Sequence, residues 1–115
     1  MDAQLAFIAE PREPADIELR VNFGVFAGRD VTRAEIDDLA RSLYGELTSV
    51  AIVTVRRHEL ADGHEAVAHQ VKVEANVSDA REPTTQEVLA ARLLALTTEW
   101  AESCVSLRHA DVTEV

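Results

Sequence analysis

Thr48 to Val77 reads as one β-hairpin closed at Ala61-Asp62-Gly63, and this constrains the fold more than any other feature of the chain. Val50-Ala51-Ile52-Val53-Thr54-Val55 is rich in β-branched residues, and Val67, Val71, Val73 and Val77 alternate along the return strand. Asp62-Gly63 is the turn signal, with Gly63 free to take the positive φ that a side chain resists. Two registers compete. A two-residue loop pairs Ala61 with His64 and sets Val53 and Val55 on the face of Gln70 and Lys72. A three-residue loop, with Gly63 in the left-handed position of a bulge, pairs Leu60 with His64. It gathers Val53, Val55, Val67, Val71 and Val73 on one face. A slip of one residue turns every side chain over, so burial favours the three-residue loop.

Under that register the opposite face carries Ile52, Thr54, Arg56, His58 and Leu60, with His64, Ala66, Ala68, Gln70, Lys72 and Glu74 from the return strand. Upstream, Ile17, Leu19, Val21, Phe23 and Val25 alternate with Glu18, Arg20 and Asn22. This is the pattern of a strand with one face on a core and the other open.

Helices flank the hairpin. Thr32 followed by Glu35 forms a capping box, with Asp30 as a competing N-cap, and Ile36, Leu39, Ala40, Leu43 and Leu47 form an apolar stripe. Thr84 and Glu87 make a second capping box behind Pro83. Leu89, Leu93, Leu96, Trp100 and Cys104 then share one face of a helix that runs to about Val105. The tail 107–115 reads as a final edge strand. Pro11 and Pro14 interrupt the N-terminus, so 1–16 is an extension or arm, with Leu5 to Ile8 able to form a short strand. Residues 17–115 form a single α+β domain. The order is β-α-β-β-α with a final β: the ferredoxin-like split βαβ plan, two helices on one face of an antiparallel sheet. An alternative layout takes the N-terminal segment as the fourth strand.

Composition narrows the function. A chain of 115 residues that is 47% hydrophobic can bury a core without staples. Cys104 is the single cysteine, which excludes an intramolecular disulfide and a multi-cysteine zinc site and suits a reducing cytoplasm. The apolar run Leu5 to Ala9 is too short for a signal peptide or a membrane span. A net charge of −10 argues against a nucleic-acid partner. Lys72 is the only lysine among 11 basic residues, a bias that suggests a GC-rich bacterial genome.

Within this acidic chain Arg20, Arg56, His58, His64 and Lys72 converge on the open face, with Glu18 and Glu74 against them. Such a face could receive a small anionic ligand or a second subunit, or it could be neutralised by cross-strand pairs such as Glu18 with Lys72. His58 and His64 have no third ligand, so no metal site is expected. His69 lies on the core side. It is either a half-buried histidine satisfied by a neighbour or a general base in a helix–sheet pocket, with Trp100 as a second lining residue. No phosphate loop, His-Glu-x-x-His, nucleophile elbow or Cys-x-x-Cys is present. The expectation is a non-catalytic interaction or ligand-binding module without a cofactor, homodimeric through the open sheet face or its edge. The alternative is a small ferredoxin-like enzyme acting on a small molecule in a helix–sheet pocket.

Overall fold

The computed structural model describes residues 5–9, 15–61 and 64–113, and for 57–61, 64–68 and 107–113 the backbone alone. The elements are β1 (Ala6–Ala9), β2 (Ile17–Val21), α1 (Phe23–Ala27), α2 (Arg33–Leu43), β3 (Ala51–Ala61), β4 (His64–Ala75) and α3 (Gln86–Thr113), with a 3₁₀ turn at Val77–Asp79. This is an α+β fold with a four-stranded sheet ordered β1-β2-β4-β3, antiparallel at every pairing. β2 and β3 therefore run parallel, with β4 between them. Among the described residues no strand follows the last helix, against expectation: α3 continues through Thr113, and the fourth strand is β1.

The hairpin pairs Ala61 with His64, Arg56 with His69, Val55 with Gln70 and Val53 with Lys72. This is the two-residue register, and it overturns the three-residue loop. The backbone of Gly63, and the positive φ expected there, lie outside the described residues. β4 keeps its expected faces, with Val71, Val73 and Ala75 in the core. β3 is turned over: Val53 is 43% exposed on the open face, while Ile52 packs against the core. The reason is that β3 is an edge strand with β-branched residues on both sides. Ile52 and Thr54 weigh nearly as much as Val53 and Val55, so burial discriminates poorly. The two-residue connection favoured by strand twist decides the register instead.

β2 also stops earlier than its alternation suggests. Phe23 begins a short helix, so Val25 is 59% exposed and not in the core as expected. α1 lies against β4 at Gly24, where a Cβ would sit 2.9 Å from the His69 amide nitrogen. Only glycine permits that approach. α1 closes at Gly28 in the left-handed region, φ 71°, whose N–H donates to the Gly24 carbonyl. The capping box of α2 forms in full. The Glu35 N–H donates to Thr32 Oγ1, and the Thr32 N–H donates to Glu35 Oε1. α3 is capped one residue later than expected: Thr85, not Thr84, accepts from the Val88 N–H.

Leu19, Val21, Val71 and Val73 of the sheet meet Leu39, Leu43, Leu89 and Leu93 of the helices, all fully buried. Trp100 is buried as expected. Its ring lies 5.7 Å from that of Phe23, and its indole N–H donates to the Glu35 carbonyl at 2.8 Å. Among the described residues no helix is long and apolar enough to cross a membrane.

Candidate functional site

β4 pairs with β2 only over Val71–Ala75 but with β3 from His64 onward, so the hairpin leaves the sheet as a two-stranded ribbon. Where it departs, the α1–α2 connection crosses beside it and leaves a cleft of about 250 Å³. Val31 supplies an apolar wall above the buried Phe23 and Val71, Asp30, Arg56 and His69 supply polar groups, and Thr54, Val55 and Gln70 complete the lining. His69 Nε2 lies 3.0 Å from Asp30 Oδ1. Arg56 is the cross-strand partner of His69, is exposed, and forms no hydrogen bond or ion pair among the described residues. Partners in an antiparallel ladder have Cα atoms about 4.5–5.5 Å apart. A free guanidinium and an imidazole thus rise from neighbouring points of one sheet face.

The loop that carries Asp30 is held from behind. Arg29 donates from Nη1 and Nη2 to the two carboxylate oxygens of Glu35 at 2.8 and 2.7 Å, donates to the Asp30 carbonyl at 3.0 Å, and lies 5.3 Å from the Phe23 ring centroid. The Arg29 guanidinium is the main cause that lowers the Glu35 carboxyl to about 2, with the Thr32 hydrogen bonds adding to it. Behind this pair Cys104 is pushed up to about 12, first by burial and then by the Glu35 carboxylate beside it. Glu35 thus stays ionised to anchor the loop, and Cys104 stays a neutral thiol.

The open face has a different order. Strand register sets side chains in rows across the sheet: Ala9, Glu18, Glu74 and Ala51 in one, Phe7, Arg20, Lys72 and Val53 in the next. Arg20 donates to Glu18 Oε2 at 2.7 Å and to Gln70 Oε1 at 3.0 Å, and Gln70 donates on to Asn22 Oδ1. Lys72 lies 3.7 Å from Glu74. Neutralisation therefore runs along each strand, not across from Glu18 to Lys72. Glu18 is only 2% exposed, and its Oε1 has no hydrogen-bond partner among the described residues.

The five residues expected to share one basic face are divided. Arg20 and Lys72 stay on the open face beside glutamates, and Arg56 joins His69 in the cleft. The side chains of His58 and His64 lie outside the described residues. Trp100 packs behind Phe23 and does not line the cleft. Sequence reasoning missed Asp30 as a partner of His69. It is separated from His69 by 39 positions, and its place before Thr32 reads locally as a cap. Among the described residues no group of three or more His, Cys, Asp or Glu side chains could hold a metal ion. Comparison with protein-family models, curated proteins and solved structures finds no match.

Proposed function

We propose that the protein is a small-molecule-binding module, and that its ligand is a small carboxylate with an apolar body, held in the cleft by Arg56 and His69. The observation that carries this reading is the exposed Arg56, unpaired among the described residues, beside His69 at a partly apolar cleft. Guanidinium matches carboxylate geometry in a bidentate fork. Val31 and the methyl group of Thr54 would meet the apolar part, above the buried Phe23 and Val71. The volume suits a ligand below drug size. The single, buried Cys104 and the arginine-rich composition fit a bacterial cytoplasm. The parallel pair β2 and β3 with β4 between them fits a ferredoxin-like plan in which β1 replaces the last strand.

A catalytic reading has one observation in its favour, the Asp30–His69 contact, which would orient the imidazole as a base. The described lining adds no activated nucleophile, so binding is the stronger reading. The test is a backbone amide NMR titration with isobutyrate, benzoate and inorganic phosphate, each to about 10 mM, a range that detects millimolar affinity. Saturable shifts at His69, Arg56 and Val31 are expected with benzoate or isobutyrate, and their loss in Arg56→Gln. Absence of saturable shifts with either carboxylate, or equal binding by Arg56→Gln, overturns the proposal. Saturation by phosphate alone would reassign the ligand to an inorganic anion.

A further inference from the structure

The rows of the open face place like charges side by side: Glu18 opposite Glu74, and Arg20 opposite Lys72. Like charges directly opposed across strands are destabilising. A sheet facing only water would gain from mixing the signs within a row. Two-fold symmetry makes use of the unmixed order. When two copies meet face to face, the symmetry axis lies in the plane of contact. If that axis crosses the strands midway between the rows, the acidic row of each copy lies over the basic row of the other. β2 then lies over β2 and β4 over β4.

We propose that the protein forms an isologous homodimer through the open sheet face, with Glu74 of each copy paired to Lys72 of the other, the partly exposed charges of the two rows. The contact Lys72 makes within its own chain is long, at 3.7 Å, and leaves ammonium donors to spare. Arg20 uses Nε and Nη1 within the chain and retains Nη2. Val53, 43% exposed, with Val55 and Phe7 on the same face, adds apolar flanks to the charged centre. Four strands about 4.8 Å apart and three rows about 6.8 Å apart make a patch smaller than the ~800 Å² per partner of a standard interface. The dimer accordingly belongs to the weak, reversible class.

The test is sedimentation equilibrium from about 1 μM to about 1 mM at low salt, the range in which small interfaces associate. Wild type is expected to dimerise. Lys72→Glu sets glutamate over glutamate, and Glu74→Lys sets lysine over lysine, so each alone should associate about tenfold more weakly or worse. Mixed in equal amounts, the two variants are complementary across the axis and should recover the dimer mass. If a single variant fails to fold, the double exchange Lys72→Glu with Glu74→Lys keeps the pairing within the chain. It should dimerise with itself but not with wild type. A wild type monomeric at the highest concentration overturns the proposal. So does a dimer indifferent to both substitutions, a mixture that shows no recovery, or free exchange between the double variant and wild type.

Discussion

Gly24 and the backbone of His69 are in such close contact that a Cβ on Gly24 would lie 2.9 Å from the His69 amide nitrogen and 3.3 Å from its carbonyl oxygen. Both atoms belong to β4, which is hydrogen-bonded to β3 and cannot yield as a flexible side chain would. In Gly24→Ala the helix-propensity gain of up to about 1 kcal/mol opposes an overpacking cost of about 1–3 kcal/mol. The backbone contact decides the sign. A net loss of about 1 kcal/mol or more is expected in the urea midpoint, with displaced amide resonances at His69.

Glu35 should contribute to the acid limb of the stability curve. Its carboxyl is lowered from 4.5 to about 2 in the folded protein. A depressed carboxylate stabilises fully above its unfolded pKa, and that contribution is lost as pH falls through the folded value. The window is therefore from about pH 4.5 down to about pH 2, and the contribution is on the order of 3 kcal/mol, since the side chain is only 16% exposed. Urea unfolding of wild type and Glu35→Gln at several pH values checks this. The gap between them should be widest near neutrality and close as the pH nears 2.

Cys104 should be inert to thiol reagents in the folded state. Burial and the Glu35 carboxylate hold its thiol near 12, against about 8.5 for a free cysteine. At pH 8 the reactive thiolate is then rarer by about three orders of magnitude. Labelling with a chromogenic disulfide should be negligible in native protein and complete in denaturant. Glu35→Gln removes the nearby negative charge and should accelerate native labelling. Rapid labelling of wild type would mean that α2 and α3 separate readily at this point.

The start of α2 was readable from the chain because capping is local, whereas α3 is capped at Thr85 rather than Thr84. Thr32 and Glu35 are three positions apart, and both of their bonds form as the spacing implies. The stripe Leu39, Leu43 and Leu47, and Leu89 with Leu93, point inward for the same reason: 3.6-residue periodicity is a property of the chain itself. The stop of β2 was less legible. Ile17 to Val25 alternates throughout, and only the close approach of Gly24 to another strand ends the alternation at Val21.

Local sequence determined the existence of the hairpin, the capping box of α2, the inward faces of β2 and β4, and the burial of Trp100. What tertiary structure decided was every relation between distant segments. Whether Arg56 belongs with Lys72 or with His69 depends on one residue of register in an edge strand whose two sides are nearly equal in apolar character. That choice moved the arginine from the open face to the cleft. The pairing of His69 with Asp30, 39 residues apart, and the rows that set Glu18 beside Glu74 and Arg20 beside Lys72, arise only when strands are laid side by side. Local propensity carries no information about them, because the energies that select them are contacts between parts of the chain that the sequence keeps far apart.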